Sequence, residues 1–122
     1  RDNMTLNGFN PENQEFIKTD IKEWLRGEAQ EEYDLVIADP PTLSKSKMAR
    51  SDWDVQADHA ELLSHVLRHV KPGGCIYFST NFREFRLQAA RLTCRSIEDI
   101  SLASIPKDFR NKQIHYCWKI IK

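Results

Sequence analysis

The sequence predicts an α/β fold with a mostly parallel sheet that is closed by an antiparallel C-terminal hairpin. Apolar strand-like runs alternate with helical patterns through most of the chain, which is typical of parallel strands joined by crossover helices. Two strand-like runs then follow each other directly near the C-terminus, and this order indicates a hairpin at one edge. With 122 residues, the chain has the usual size of one domain.

The N-terminal elements are short. Residues 1–8 have the pattern of the last two turns of a helix with Asn7-Gly8 as its C-cap, so we expect the chain to be a piece of something longer. After a turn at residues 10–13, residues 14–19 are predicted to form a strand that ends at Asp20. Residues 21–26 are predicted to form a helix that Gly27 closes.

The most informative stretch is the apolar strand at residues 33–38, which leads directly into Asp39-Pro40-Pro41. A proline has no N–H to donate and fixes its φ near about −65°, so the strand must end there. Open α/β folds bind ligands at the carboxyl edge of the sheet. The Asp39 carboxylate and the Pro40 carbonyl are two rigid acceptors that suit a base edge carrying N–H groups. An ordinary strand-ending turn is the alternative interpretation.

The remaining elements follow from apolar spacing and from helix-breaking residues. Residues 42–52 are predicted to be a polar loop, and residues 54–70 a long helix that Asp52 or Asp54 caps. Pro72-Gly73-Gly74 ends this helix. The order after it is predicted to be a buried strand, a short helix and the two closing strands, at residues 75–80, 84–93, 96–105 and 114–121.

Charge and cysteine content restrict the class of protein. The net charge is zero, yet residues 1–39 carry 4 basic and 10 acidic side chains, whereas residues 40–122 carry 14 basic and 8 acidic ones. This asymmetry favours a polyanionic partner. Cys75, Cys94 and Cys117 have no metal-binding spacing, so we expect no metal and a reducing, cytoplasmic location. No run is long and apolar enough to predict a membrane span.

Several of these features together resemble the Rossmann-like class I methyltransferases that use S-adenosylmethionine (SAM). They are the strand before Asp20, the Asp39-Pro-Pro turn, Lys71-Pro-Gly-Gly and the closing hairpin. Residues 39–48, 53–59, 79–83 and 109–115 are further similar to the C-terminal (RlmK) half of the RlmKL family, the bifunctional 23S rRNA guanine methyltransferases. In that family the C-terminal half makes N7-methylguanine and the N-terminal half makes N2-methylguanine.

The resemblance implies that residues 1–122 are the C-terminal part of one methyltransferase domain. The N-terminal strands of a seven-stranded sheet, the Gly-rich loop and the acid that binds the cofactor ribose would all lie upstream of Arg1. No Gly-rich strand-to-helix turn occurs before residue 14. We therefore expect the isolated chain to bind SAM poorly and to be inactive.

The resemblance also assigns site residues, with SAM as the cofactor and 23S rRNA as the partner. Asp20, which could equally be a helix N-cap, would contact the adenine amino group, with Ile21 and Asp39 completing the cofactor contacts. Asp39, Pro40 and Pro41 would face the methyl group and the target base. The expected RNA contacts are Thr42, Leu43, Ser44, Lys45, Lys47, Arg50, Asn81, Arg83, Arg86, Arg110 and Lys112. The family usually carries Phe at position 43, where this chain has Leu.

The target atom has two interpretations. Guanine N7 has an in-plane lone pair and no proton to lose, so it needs no general base. An exocyclic amine, guanine N2 or adenine N6, is a weaker nucleophile, and two acceptors on its hydrogens favour the reactive geometry. The turn alone leans towards the amine, whereas the resemblance favours N7, which we adopt. Cytosine C5 would need a cysteine at a strand's carboxyl end, and none is predicted there.

Aromatic and histidine side chains have structural interpretations as well. His59 lies on the apolar face of the long helix and is expected to be a core residue, while His65 and His69 are expected on its surface. No histidine is predicted to be catalytic. Trp53, Phe82 and Phe109 could stack on bases, although burial is an equal alternative for the two phenylalanines.

Overall fold

The computed structural model of the chain describes residues 2–28, 32–45, 52–109, 111 and 114–122. Its helices are α1 (Asp2–Leu6), α2 (Ile21–Arg26), α3 (Val55–His69) and α4 (Ser101–Ser104), with single 3-10 turns at Pro11–Asn13 and Ala89–Arg91. Its strands are β1 (Tyr33–Ala38), β2 (Leu43–Ser44), β3 (Trp53–Asp54), β4 (Val70–Thr80), β5 (Ser96–Asp99) and β6 (Tyr116–Ile121).

Four strands form one sheet in the order β1-β4-β6-β5. β1 and β4 are parallel, whereas β6 is antiparallel to both β4 and β5. The β5–β6 pair agrees with the predicted antiparallel closing strands. The described sheet is nevertheless mixed rather than mostly parallel, because β6 lies between β4 and β5 and reverses the direction at both of its edges.

The elements with the strongest local signals have the predicted positions. α2 and β1 have the predicted bounds, and α3 differs from its predicted range by one residue at each end. The Asp20 carboxylate accepts from the Lys22 N–H at 2.9 Å, and the Asp54 carboxylate accepts from the Gln56 N–H at 2.8 Å. These side-chain caps satisfy N–H groups that lack partners at a helix start.

The core lies between α3 and the sheet. α3 presents apolar residues at helical spacing, and they pack on alternate residues of β4 and β6. His59 is buried in this core, as predicted. The surface prediction for His69 is wrong, since its ring is buried and stacks on Trp24 with centroids 5.1 Å apart. The apolar side chains of α3, β4 and β6 that form this core are Val55, Leu62, Leu63, Val66, Leu67, Ile76, Phe78, Trp118 and Ile120.

Residues 14–19 do not form the predicted strand. Among the described strands β1 pairs with β4 alone, and no strand lies at its other edge. A strand needs a neighbour for its backbone N–H and C=O groups, so an apolar run without one stays irregular. Phe16 and Ile17 are accordingly about half exposed, at 50% and 49%.

The predicted helix at residues 84–93 is reduced to the 3-10 turn Ala89–Arg91. Side chains of α3 bind the backbone of this segment instead: Gln56 Oε1 accepts from the Arg86 N–H at 2.8 Å, and His59 Nε2 accepts from the Gln88 N–H at 3.0 Å. In a helix over residues 84–93 the Gln88 N–H would donate to the Glu84 carbonyl, so the bond to His59 takes the place of a helical hydrogen bond.

Three further features differ from the prediction. The strand predicted at 96–105 ends at Asp99, because the Asp99 carboxylate accepts from the Ser101 N–H at 2.9 Å at the start of α4. The loop predicted at 42–52 contains β2, which pairs with β3. β4 begins at Val70 rather than at Cys75, and its pairing with β1 is irregular around Gly73 and Gly74.

Candidate functional site

The centre of the candidate site is a hydrogen bond between the ends of two parallel strands. In the β1–β4 ladder Ala38 lies opposite Phe78, so the next residues, Asp39 and Ser79, are neighbours at the carboxyl edge. The Ser79 hydroxyl donates to Asp39 Oδ1 at 2.7 Å. The Asp39 side chain is exposed at this edge, where a ligand can reach its carboxylate.

The turn after Asp39 is tied to the start of α3. The Trp53 indole N–H donates to the Pro41 carbonyl at 2.6 Å, and the Val55 backbone N–H donates to the Thr42 carbonyl at 3.0 Å. Leu43 and Ser44 then pair with Asp54 and Trp53. These bonds fix the path of the chain from Pro41 to Ser44, so the two prolines are held from both ends.

Trp53 has a second contact that bears on the predicted base stacking. The Lys22 ammonium lies 5.2 Å from the centroid of the indole ring, and it also pairs with the Asp58 carboxylate at 3.2 Å. This cation–π contact covers one face of the ring and links α2 to β3. Stacking of a base on the remaining face stays a prediction.

A cavity of about 520 Å³ opens beside the turn. Its walls are mainly apolar side chains of α2, β1 and α3, and Asp39, Pro40, Pro41 and Ile21 line it together. The cavity therefore brings Ile21, a predicted cofactor residue, next to the three predicted catalytic residues, of which Asp39 is also a predicted cofactor contact. Asp20 directly precedes Ile21 and is the N-cap of α2, so its structural interpretation is confirmed, while its cofactor contact stays a prediction.

The predicted RNA residues fall into three groups. Leu43 and Lys45 are exposed beside the turn, while Thr42 and Ser44 are partly buried. Exposed residues also follow the carboxyl end of β4, where the Tyr116 hydroxyl donates to the Arg83 carbonyl at 3.0 Å; these residues are Asn81, Arg83 and Arg86. Four predicted contacts lie outside the described residues: Lys47, Arg50, Arg110 and Lys112.

The aromatic residues near this surface differ in exposure. Phe82 is partly buried and packs against the core, whereas Phe109 is 46% exposed.

Cys117 lies opposite Ser79 in the β4–β6 ladder. Burial raises the pKa of the Cys117 thiol, which favours its protonated, weakly nucleophilic form.

Two contacts of this site are missing from the sequence interpretation. Ser79 and Trp53 hold the Asp39-Pro40-Pro41 turn through side-chain hydrogen bonds, yet neither was assigned that role. A signal for Ser79 was present, since two apolar strands that end in polar residues suggest neighbours at one sheet edge. The Trp53 bond joins residues 12 positions apart and has no periodic signature.

Across the described ranges, no group of three or more His, Cys, Asp or Glu side chains is placed to hold a metal ion. None of the helices in the described part of the chain has the length and apolar character that a membrane crossing requires.

The fold matches that of two solved structures described as methyltransferases. The chain superposes on a crystal structure described as a methyltransferase complexed with SAH, with a TM-score of 0.75 and 18% identity, over 99% of this chain and 35% of that one. A SAM-dependent methyltransferase structure from Streptococcus mutans matches with a TM-score of 0.71 and 18% identity, over 98% of this chain and 34% of that one. At this identity the likeness concerns the fold.

Sequence comparison identifies a particular group of relatives. The chain is 43% identical over 119 residues to the ribosomal RNA large subunit methyltransferase K/L of Alcanivorax borkumensis. The matched residues cover 97% of this chain and 17% of that relative. The Desulfotalea psychrophila protein of the same name is 43% identical over 118 residues, or 96% of this chain and 16% of the relative.

The Pseudomonas aeruginosa relative is 42% identical over 121 residues, which cover 98% of this chain and 16% of that protein. The chain is thus homologous to a segment of these enzymes, which confirms the resemblance predicted from the motifs, and it spans about one sixth of their length. No protein-family model matches the chain.

Proposed function

We propose that this chain forms the target-base side of a SAM-dependent methyl-transfer site that acts on ribosomal RNA. In this proposal residues 1–122 are the C-terminal part of one methyltransferase domain in the cytoplasm. The observation that carries the proposal is the cavity shared by Ile21 and Asp39-Pro40-Pro41, since it joins an apolar surface to a carboxylate at the carboxyl edge of the sheet. The similarity to the K/L methyltransferases supports the choice of substrate.

The residues present fit one side of an adenosyl group. Ile21 is 51% exposed and offers apolar surface for a flat base, and Asp20 uses Oδ1 for the helix cap, which leaves Oδ2 for an amino group. When bound, SAM supplies a methyl group whose bond to sulfur breaks as the target lone pair bonds to carbon, so the electron pair stays on sulfur. The chain's own part is to hold the target in line with that bond.

The proposed target atom is guanine N7 of 23S rRNA. Asp39 and the Pro40 carbonyl would accept from the guanine N–H groups, while Asn81 and Arg83 offer donors from the neighbouring strand end. N7 carries no hydrogen, so these residues need to orient the base without removing a proton. Orientation of this kind supplies roughly 7–11 kcal/mol of barrier lowering in well-aligned reactions.

One observation favours an exocyclic amine, guanine N2 or adenine N6, as the alternative target. The turn carries two acceptors in consecutive residues, the Asp39 carboxylate and the Pro40 carbonyl, and no described backbone N–H donates to the Pro40 carbonyl. Two acceptors match the two hydrogens of an amino group. A catalytically inactive chain is the other alternative, since the Gly-rich half of a SAM site is not found in these 122 residues.

Mass mapping of 23S rRNA separates the two targets. The gene whose product contains these 122 residues is deleted, and the modified nucleotides of the 23S rRNA are compared with those of the parent strain. Complementation with the wild-type gene restores every mark that the deletion removes, whereas complementation with Asp39→Ala restores all but the mark made at this site. A missing N7-methylguanine in the Asp39→Ala strain supports the proposal, and a missing N2- or N6-methyl mark there supports the alternative. An unchanged modification map contradicts rRNA methylation altogether.

Calorimetry tests whether the 122 residues suffice for SAM binding. The chain alone is titrated with SAM beside the longest natural polypeptide that contains it. We expect measurable affinity for the longer protein and little heat for the short chain. Micromolar binding by the short chain would show that its site is more complete than proposed.

A further inference from the structure

We propose that Ser79 is a positioning residue that fixes the orientation of the Asp39 carboxylate towards the target base; this inference rests on the proposed function. The Ser79 hydroxyl donates to Asp39 Oδ1 at 2.7 Å. Among the described residues, Ser79 is the single hydrogen-bond partner of the Asp39 carboxylate. The bond joins side chains that are 40 positions apart in the sequence.

The bond restricts a side chain that would otherwise be mobile. An exposed aspartate samples several staggered rotamers, and each reorientation moves its oxygens by ångströms. Ser79 has one hydroxyl hydrogen, and its direction to Oδ1 leaves Oδ2 available to a base N–H. A carboxylate held in one orientation binds such a group without an ordering cost at the moment of binding.

The support behind Ser79 is rigid. Ser79 pairs with Cys117 in the β4–β6 ladder, and its neighbours Phe78 and Thr80 are fully buried, at 0% and 1% exposure. The strand therefore carries the hydroxyl at a fixed position beside Asp39. Groups that position catalytic side chains work best when they stand on such elements.

A purely structural role for the bond makes a different prediction. If the Ser79 hydroxyl only closed the sheet edge, its loss would lower stability and leave turnover per folded molecule unchanged. A positioning role lowers kcat instead. Threonine keeps a hydroxyl on the same carbon and suits a strand, so Ser79→Thr is the conservative variant that separates the hydroxyl from the bulk of the side chain.

The kinetic test uses the longest natural polypeptide that carries the chain, with Ser79→Ala, Ser79→Thr and the control Ser64→Ala. Ser64 also donates its hydroxyl, to the Ala60 carbonyl at 2.7 Å on α3, outside the site. We expect Ser79→Ala to lower kcat about tenfold, the effect of one bond to a charged group. The KM for SAM stays unchanged, Ser79→Thr restores kcat, and Ser64→Ala has no effect. Equal losses in Ser79→Ala and Ser79→Thr, or a wild-type kcat in Ser79→Ala, overturn the proposal.

Crystal structures of the same proteins test the geometry without activity. In the wild type and in Ser79→Thr the Asp39 carboxylate should take one orientation with a hydroxyl on Oδ1, and in Ser79→Ala it should rotate or occupy several positions. An unchanged Asp39 in Ser79→Ala overturns the positioning role even if methyl transfer is absent. A wild-type protein that transfers no methyl group to rRNA refutes the proposed function, while the crystallographic comparison still decides on Ser79.

Discussion

The indole Nε1 of Trp53 donates a hydrogen bond of 2.6 Å to the carbonyl oxygen of Pro41. This bond connects the last residue of the Asp39-Pro40-Pro41 turn to the residue pair that precedes α3. Because the prolines cannot donate backbone hydrogen bonds themselves, the turn depends on donors from elsewhere in the chain. Trp53 supplies that donor, and the turn is thereby held against the core.

Replacement of Trp53 by phenylalanine should loosen the turn. Trp53→Phe keeps a ring below Lys22 but removes the N–H, so the Pro41 carbonyl loses its partner and about 1 kcal/mol of local stability. The expected result is faster hydrogen exchange at the amides of residues 42–45, measured by mass spectrometry. In the control Trp24→Phe, which keeps the stack on His69, exchange at these amides should not change. Wild-type exchange in Trp53→Phe would contradict the role of this bond.

Substitution of Asp39 should affect turnover more than SAM affinity. Asp39→Ala removes the acceptor expected to orient the base, and misplaced reactants lose on the order of 100-fold in rate. The kcat is measured on rRNA and the affinity for SAM by calorimetry, in the longest natural polypeptide that carries the chain. Asp34→Ala is the matched control, because Asp34 lies on the same strand but pairs with Lys71 at 2.8 Å. If neither kcat nor affinity changed in Asp39→Ala, the site assignment would be wrong.

Three basic residues after the turn should contribute to RNA binding. Joint replacement of Lys45, Lys47 and Arg50 by alanine removes up to three phosphate contacts, and each contact to single-stranded RNA adds about 0.7 to the slope of log K against log salt. We expect weaker binding and a shallower slope by about 2. Arg95→Ala is the control, since Arg95 precedes β5 at the opposite end of the sheet. A salt slope equal to that of the wild type removes these three residues from the RNA surface.

His59 should make stability depend on pH. Its ring bonds the Val55 carbonyl at 2.9 Å and accepts from the Gln88 N–H at 3.0 Å, so the folded state requires a neutral ring. Burial lowers the pKa of His59 below its usual value of 6.5. As the pH falls below the unfolded pKa, the unfolded chain binds the proton first, and the free energy of unfolding decreases by up to about 1.4 kcal/mol per pH unit.

The measurement for His59 is the urea midpoint at about pH 7 and about pH 5, compared between wild type and His59→Gln. The wild type should lose stability on acidification, and His59→Gln should lose less. His65→Gln is the control, because His65 is paired with the Glu61 carboxylate at 3.7 Å outside the core. A pH dependence that is the same in all three proteins would mean that His59 is not the titrating group.

Much of the fold follows from local signals. The bounds of α2 and β1 could be predicted because a side-chain cap, an apolar run and two prolines each act within a few residues. The same holds for α3, whose apolar face and Asp54 cap are continuous in the sequence. In the site, the Asp39-Pro40-Pro41 turn could be predicted at the carboxyl edge of the sheet, since a strand's direction decides where its end lies.

Other elements depended on contacts that are distant in the sequence. Residues 14–19 have strand character but no adjacent strand in the described structure, and residues 84–93 have helical character but their backbone is bound by the side chains of Gln56 and His59. In both segments, the helix or strand propensity of the residues has less influence on the backbone conformation than the available hydrogen-bond partners have. The position of β6 between β4 and β5 is likewise a property of the assembled sheet.

The sequence by itself determined that a carboxylate and two prolines end an apolar strand, because proline geometry and apolar patterning are local properties. Only the tertiary structure decided that Ser79 binds Asp39 and that Trp53 binds Pro41, because those pairs meet through strand register and through the packing of α3 on the sheet. The functional groups of the turn thus belong to consecutive residues, while its rigidity depends on Ser79 and Trp53, which are brought to it by folding.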